Sequence, residues 1–317
     1  MKAIGLFEFG GPEVLQPIEL PDPHAEPGEV RVRVHAVAVN PADAVFRAGD
    51  IAHYLQDQSR PLRPGMEAAG IVDEIGMGTE TDLAIGDRVI ALVNPLASGS
   101  YAQYAVVPAA RVIRAPPNTT HAQAATLMMT GLSALHGVDT LGLPAGATVA
   151  ITGAAGVVGG HALALAKSKG YRVIADASPA DTELVRALGA DIVVERGGDV
   201  ADRILAVSPG GVDGLLDIAI LGYSVLRAVR DGGSLILFRS VGERGMPTAV
   251  TDKRLTVCTA SVMAYFDVRQ KLEEIVGLAE KGVLKCRVAR VFPADEAAEA
   301  HRLLEAGGVR GRMILEF

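Results

Sequence analysis

The sequence predicts an α/β protein in which a β-rich domain, built from both ends of the chain, encloses a central domain with a doubly wound parallel sheet. Three observations predict this fold. Short strand patterns lie close together between Pro- and Gly-rich turns in the first third. After about residue 121, strand patterns alternate with helix patterns, which is typical of a parallel sheet. The tail then returns to mixed structure.

Length and composition exclude several classes of protein. The 317 residues suggest about two domains. A hydrophobic content of 49% excludes a disordered chain, and 4% aromatic residues without Trp argue against stacking on single-stranded nucleic acid. The net charge of −7, without a long basic run, argues against any nucleic-acid partner. With two cysteines and no evident signal peptide or membrane span, we expect a cytoplasmic protein with no membrane partner.

The β-rich domain is assigned to residues 1–121 and 258–317. Strict alternation over residues 30–39 predicts a strand with one buried face. Further strands are predicted at 70–75, 88–93, 101–107, 287–291 and 312–317. Helices are predicted at 268–281 and 296–305.

The central domain is assigned to residues 122–257. Its predicted strands are 148–152, 172–175, 192–194, 214–218 and 234–238. Its predicted helices are 157–169, 179–188, 200–207 and 223–230. For the second of these helices, Ser178 is the expected N-cap and Gly189 the stop.

A glycine-rich turn joins the first strand and helix of this domain. Gly156 lets the backbone approach a pyrophosphate, Gly159 lets helix and strand pack closely, and the helix N-terminus supplies N–H groups. Glycines alone also fit a tight turn in any α/β protein, but the complete strand–turn–helix–strand context predicts dinucleotide binding. The predicted contacts are Gly153, Ala154, Gly156, Val157, Val158 and Gly159.

Two residues bear on the choice of cofactor. Asp176, 20 residues past Gly156, would accept hydrogen bonds from a ribose and repel a 2′-phosphate, which favours NAD(H). Arg196, just past the third strand, could reach a 2′-phosphate and favour NADP(H), although it also fits an ordinary surface arginine. The choice between the two cofactors stays open. Ser178 and Phe238 complete the predicted cofactor-binding set.

Several separated motifs occur in order along the chain. They are GMEAAGIV at 65–72, the turn at 153–159 and GRMIL at 311–315, with supporting matches at 39–43, 124–134 and 293–304. Together they resemble the medium-chain dehydrogenase/reductase superfamily, in its zinc-independent quinone oxidoreductase and enoyl reductase branch. The resemblance implies a GroES-like β-barrel catalytic domain, a Rossmann domain, and a homodimer or homotetramer.

Zinc-dependent members of that superfamily carry Cys and His ligands at two positions that here hold Asn40 and Met66. An amide and a thioether make a poor zinc site. Residues 94–110 contain no Cys, and the seven histidines show no pair at ligand spacing. We therefore expect no zinc and no other metal.

Without a Lewis acid, a conjugated carbonyl compound is the easiest acceptor to reduce. Hydride addition to it gives a delocalised oxyanion, which hydrogen-bond donors can stabilise. The sequence thus predicts hydride transfer from NADP(H) or NAD(H) to a quinone or an α,β-unsaturated carbonyl compound. Asn40 is the candidate donor to the substrate oxygen, although it also fits a turn residue before Pro41. Thr130 matches a family position near the nicotinamide, although it also fits a helix-interior hydroxyl.

The proton donor is less well defined. Ile51 stands where the enoyl reductases of the family carry a tyrosine, and Tyr54 follows three residues later, so a shifted loop could bring Tyr54 into that role. Glu67 is interpreted as a buried structural carboxylate that pairs with a basic residue.

Two alternatives stay open: an enoyl-thioester reductase, and a non-catalytic redox sensor that binds NAD(P)H. A zinc-dependent alcohol dehydrogenase is contradicted by Asn40 and Met66.

Overall fold

The computed structural model describes residues 1–238 and 253–317. These residues form two compact units. The first comprises Met1–Met129, Phe266–Lys281 and Cys286–Phe317, and the second Thr130–Tyr265 and Gly282–Lys285. Both ends of the chain therefore contribute to the first unit.

Within those described ranges lie fifteen strands and eight α-helices. The strands are β1 (Lys2–Gly5), β2 (Gln16–Glu19), β3 (Glu29–Val39), β4 (Glu67–Ile75), β5 (Arg88–Leu92), β6 (Tyr104–Pro108), β7 (Val112–Arg114), β8 (Thr148–Thr152), β9 (Arg172–Ala177), β10 (Ile192–Glu195), β11 (Val212–Asp217), β12 (Val229–Leu237), β13 (Thr256–Thr259), β14 (Val288–Pro293) and β15 (Arg312–Glu316). The helices are α1 (Pro41–Ala48), α2 (His121–Ala124), α3 (Met128–Leu141), α4 (Val157–Ser168), α5 (Thr182–Ala187), α6 (Val200–Val207), α7 (Arg269–Glu280) and α8 (Ala297–Ala306).

Strand β3 organises the first unit. Its valines at 30, 32 and 34 are buried, whereas Arg33 between them is exposed, as the alternation predicts. One edge of β3 pairs with β4. The other edge pairs with β6 in its first half and with β15 in its second half, so residues from the start and the end of the chain share one sheet. Helix α1 follows β3 directly, with Asn40 at the N-cap and Pro41 at the first helical position.

The second unit contains a six-stranded sheet in the order β10-β9-β8-β11-β12-β13, and every pairing in it is parallel. This order reverses between β8 and β11, as in the doubly wound dinucleotide-binding fold. Strands β8 and β11 are almost completely buried, which explains their continuous apolar sequence. The predicted fold class, a GroES-like domain with a Rossmann domain, is confirmed.

Some predicted elements are wrong. Residues 222–228 form a 3₁₀ helix, and Val229 and Arg230 already belong to β12, so no α-helix spans 223–230. The helix predicted at 179–188 begins with a 3₁₀ turn at Pro179–Asp181, and the hydroxyl of Ser178 bonds the carboxylate of Asp181 instead of capping the backbone. Helices α1, α2 and α3 and strands β1, β2, β7 and β13 are not among the predicted elements.

In the part of the chain that the structure describes, every helix is too short or too polar to cross a membrane.

Candidate functional site

The glycine turn lies at the carboxyl end of β8 and leads into α4. Gly153 has a φ of +69°, a conformation that favours glycine. A Cβ at Gly159 would overlap the carbonyl oxygen of Gly153, so helix and turn can approach this closely only without a side chain. Because the first N–H groups of a helix have no intrahelical acceptor, those of Val157, Val158 and Gly159 are available to an anion. The turn therefore fits a pyrophosphate.

Asp176 holds this turn in place. It lies within β9, beside β8, and is 7% exposed. Its Oδ1 accepts hydrogen bonds from the backbone N–H groups of Gly153 (2.6 Å) and Ala154 (3.3 Å). Burial raises the pKa of Asp176, although these bonds and the charge of Arg196 oppose the shift. The carboxylate thus fixes the turn, and its contact with a ribose stays a prediction.

The other predicted cofactor residues of the second unit lie at different places. Ser178 directly follows β9, and Arg196 directly follows β10 and is exposed. Phe238 directly follows β12, and its ring lies against Gly137 of α3. Thr130 is fully buried in the first turn of α3. Ser178, Arg196 and Phe238 therefore follow the carboxyl ends of parallel strands, the edge at which such sheets bind ligands.

In the first unit, Asn40 and Glu67 form a buried pair. Asn40 Nδ2 donates to Glu67 Oε1 (3.1 Å) and to the carbonyl oxygen of Ala38 (3.3 Å). Glu67 Oε2 accepts from the backbone N–H of Met129 in α3 (2.9 Å). Asn40 is 3% exposed and Glu67 is fully buried. Both N–H bonds of the Asn40 side-chain amide thus already have acceptors within the protein. A substrate oxygen would have to replace either Glu67 Oε1 or the Ala38 carbonyl oxygen.

A second buried carboxyl group, Asp43, lies on α1 beside this pair. Its Oδ2 accepts from the backbone N–H of Asn40 (2.8 Å), and its Oδ1 accepts from that of Gly65 (3.0 Å). The hydroxyl of Tyr101 lies 3.3 Å from Asp43 Oδ2 and 3.0 Å from His301 Nε2. A neutral His301 with its proton on Nε2 would donate to Tyr101, which in turn donates to Asp43.

The charge of one buried cation, Arg312, acts on both carboxyl groups. Burial raises the pKa of Asp43 to about 7 and that of Glu67 to about 7. The guanidinium of Arg312, itself buried, opposes both shifts. Burial lowers the pKa of His301 to about 3, so the imidazole is neutral at ordinary pH. The structure therefore confirms that Glu67 is buried, but its hydrogen-bond partners are Asn40 and the backbone N–H of Met129, and Arg312 acts on it only through its charge, so the predicted pairing with a basic residue is wrong.

The residues at the metal-ligand positions of the family do not fit zinc. The side-chain nitrogen of Asn40 donates to two acceptors, and the neighbouring Met66 offers a thioether. Both oxygens of Glu67 accept hydrogen bonds from N–H groups. Outside the undescribed segment 239–252, no three His, Cys, Asp or Glu side chains are grouped so that they could hold a metal ion.

Tyr54 lies at the end of the 3₁₀ helix Ala52–Tyr54, and its side chain is 65% exposed. Its ring contacts that of His53, with centroids 4.0 Å apart. The structure thus leaves its hydroxyl on the surface of the first unit, and its role as a proton donor stays a prediction.

Sequence reasoning missed the network around Asp43. The spacing Asn40-x-x-Asp43 at the start of α1 was the available signal, because an N-cap followed three residues later by an acid is a capping pattern. Tyr101 and His301 gave no local signal, because they reach Asp43 from distant parts of the chain.

Two family models match the chain. The alcohol dehydrogenase GroES-like domain matches residues 26–117, and the zinc-binding dehydrogenase model matches residues 188–315. Among curated proteins, a quinone oxidoreductase from Sus scrofa is 30% identical, over 99% of this chain and 97% of its own length. The spectinabilin polyketide synthase system protein NorB of Streptomyces orinoci is 35% identical over 91% of this chain, but the match spans only 13% of that much longer protein.

Solved structures of related proteins superpose on the whole chain. An NAD-dependent alcohol dehydrogenase superposes with a TM-score of 0.89 at 31% identity, over 100% of both chains. A mycobacterial protein in complex with NADPH superposes with a TM-score of 0.86 at 26% identity, again over 100% of both chains. The motifs, the two-unit fold and these matches lead to one conclusion: the chain is an NAD(P)H oxidoreductase that belongs to the medium-chain dehydrogenase/reductase superfamily, in its quinone oxidoreductase-like branch.

Proposed function

We propose that the protein transfers a hydride from NAD(P)H to a quinone or an α,β-unsaturated carbonyl compound without a metal ion. When bound, the reduced nicotinamide supplies the hydride, which carries two electrons. The acceptor oxygen gains negative charge as the hydride adds to the conjugated system, and a proton from solvent or a side chain then neutralises it. The oxidised cofactor and the reduced acceptor are the products.

The observation that carries this proposal is the Asn40–Glu67 pair. At the position of a metal ligand in the zinc-dependent members, the chain has an amide that donates to a buried carboxyl group. A substrate oxygen that replaces the Ala38 carbonyl or Glu67 as acceptor would gain a hydrogen-bond donor from this amide, whereas the residues provide no ligand set for a Lewis acid. Donors alone stabilise a charge best when it is already delocalised, as in a quinone or an enone.

The residues of the second unit support binding of the dinucleotide. The turn at 153–159 offers helical N–H groups to the pyrophosphate, and Asp176 holds Gly153 and Ala154 so that the turn keeps its shape without ligand. The relatives that are named quinone oxidoreductases and span the whole chain support the substrate class.

A second candidate is reduction of an enoyl thioester. It is favoured by the 35% identity to part of a polyketide synthase system protein. Against it, the tyrosine expected as proton donor is replaced by Ile51, and the exposed Tyr54 lies three residues later.

Oxidation of NADPH and NADH tests the proposal directly. Loss of the near-ultraviolet absorbance of the reduced nicotinamide would be followed with quinones, enones and an enoyl thioester, with a metal chelator present. Turnover of quinones or enones despite the chelator would support the proposal. Turnover confined to the enoyl thioester would favour the second candidate. Cofactor binding without turnover of any acceptor would favour the redox sensor, and a stoichiometric zinc ion in the purified protein would contradict a metal-free mechanism.

We also propose a cytoplasmic homodimer or homotetramer. Light scattering of the purified protein, with and without NADPH, would measure its oligomeric state.

A further inference from the structure

The backbone at Ile220 is strained. Among the non-glycine residues that the structure describes, Ile220 is the one with a positive φ, at +59°. A β-branched residue rarely adopts the left-handed region, because its side chain crowds the backbone there. Such strain persists only where the surroundings enforce it, and it is concentrated at functional sites.

Two buried side chains enforce this conformation. Asp217, the last residue of β11, accepts hydrogen bonds from Thr152 Oγ1 (2.7 Å) and from the backbone N–H of Gly222 (2.7 Å). Thr152, the last residue of β8, accepts from the backbone N–H of Ala219 (3.1 Å). The residues on both sides of Ile220 are thus fastened to the carboxyl ends of two strands.

These strands are the two between which the sheet order reverses. In doubly wound sheets, that position forms the crevice that binds a dinucleotide. The segment before Ile220 lies against the glycine turn, because a Cβ at Gly153 would come within 3.1 Å of the nitrogen of Ala219. A pyrophosphate on this turn with its adenosine over β9 would direct the nicotinamide riboside towards the end of β11.

The side chain of Ile220 is 42% exposed, so its own burial does not compensate for the strain. We propose that Ile220 is a cofactor-contacting residue that packs against the nicotinamide riboside half of bound NAD(P)H. This inference rests on the proposed function only in requiring a bound dinucleotide, and it does not depend on the acceptor.

Calorimetric titration of four proteins tests it: the wild type, Ile220→Ala, Ile220→Gly, and Ile85→Ala as a matched control. Ile85 is an equally apolar, exposed isoleucine in the first unit. The ligands would be NADPH, NADH and two probes that carry only the adenosine half, adenosine 2′,5′-bisphosphate and ADP.

Both substitutions at 220 are expected to raise the Kd for the reduced cofactor about 5- to 10-fold, as for the loss of one apolar contact. The Kd values for the adenosine probes should change less than about twofold, as should every Kd of Ile85→Ala. Ile220→Gly should also unfold at a higher temperature than Ile220→Ala without ligand, because glycine adopts a positive φ without strain.

Unchanged NADPH and NADH binding in both variants would overturn the inference. An equal loss for the whole cofactor and the adenosine probes would also overturn it, because it would indicate a deformed crevice. A wild-type protein that binds NADPH but reduces no quinone or enone would refute the proposed function and leave this inference standing. A wild type that binds neither NADPH nor NADH would refute both.

Discussion

Asn40 Nδ2 lies 3.1 Å from Glu67 Oε1, and the other carboxyl oxygen of Glu67 accepts from the backbone of Met129. Glu67 therefore connects the start of α1 with the N-terminal end of α3 at Met129, within the first unit. The pair explains why an amide suits position 40, since it presents a donor to a buried carboxyl group.

Replacement of Asn40 by Ala is expected to lower kcat about 10- to 100-fold, as for the loss of one donor to a developing oxyanion. The Kd for NADPH should stay within about twofold, because Asn40 belongs to the first unit and the turn at 153–159 to the second. Stopped-flow kinetics and fluorescence titration measure the two quantities. Asn118→Ala, at an exposed asparagine of the first unit, is the control. Unchanged turnover in Asn40→Ala would remove Asn40 from the mechanism.

The stability of the protein should depend on the ionisation of Glu67. Burial raises its pKa from an ordinary 4.5 to about 7, so the folded state holds the proton more tightly than the unfolded state. The contribution of Glu67 to the free energy of unfolding is fully present below about pH 4.5, and it is lost as the pH rises to about 7. Glu67→Gln cannot ionise. Between these pH values, the free energy of unfolding of the wild type should therefore fall relative to Glu67→Gln, by up to about 1.4 kcal/mol per pH unit.

Urea unfolding of both proteins at pH 5, 6 and 7 measures this difference. Asp191→Asn provides a contrast. Partial burial of Asp191 works against its charge, but hydrogen bonds from Lys167 and the backbone of Val173 hold its pKa below the ordinary value. Its stabilising contribution should accordingly stay constant from pH 5 to pH 7 and be lost only as the pH falls below about 3.8. Parallel curves for the wild type and Glu67→Gln would contradict the buried ionisation.

Gly159→Ala should abolish cofactor binding and lower the free energy of unfolding by about 2 kcal/mol or more, because the new methyl group would overlap Gly153 O and the Cα of Ala154. Gly277→Ala is the matched control. Gly277 lies in α7 with open space around its missing Cβ, so this change should stabilise the protein by about 0.5–1 kcal/mol. Thermal unfolding and NADPH titration of both variants measure the contrast. Normal NADPH binding by Gly159→Ala would show that the turn has another conformation.

Cofactor preference should depend on Arg196 more than on Asp176, because the carboxylate of Asp176 already accepts two N–H groups of the turn. Arg196→Ala is expected to raise KM for NADPH about tenfold and to leave KM for NADH unchanged, as for the loss of one charged phosphate contact. Asp176→Ala should weaken the binding of both cofactors equally, because it removes the acceptor that holds the turn at 153–159. Steady-state kinetics with both cofactors would measure these effects. An equal response of NADPH and NADH to Arg196→Ala would refute the role of Arg196.

Helices and strands were predicted most accurately where a single sequence pattern defines the element. Strict alternation identified β3, and the glycine turn identified β8 and α4 within one residue. The segment 223–230 was misassigned because a 3₁₀ turn and the start of a strand together imitate a helical pattern over eight residues.

The candidate site was harder to predict for a different reason. Periodicity tells which face of an element is buried, but not which distant residue lies opposite. Tyr101 meets Asp43 across 58 residues and His301 across 200, so neither contact leaves a local pattern. The same holds for Ile220, whose backbone conformation depends on two residues of separate strands.

The pairing of β3 with β15 has a consequence for how the protein is made. Residues 36–39 pair with residues 313–316, whereas all six strands of the parallel sheet lie between residues 148 and 259. At roughly 5–20 residues per second, translation takes on the order of tens of seconds to proceed from β3 to β15. During that time, residues 36–39 of β3 have no partner strand on this edge. An unpaired strand edge can associate with other chains. A ribosome-bound chain should therefore form the parallel sheet while the earlier-made first unit still has one open strand edge.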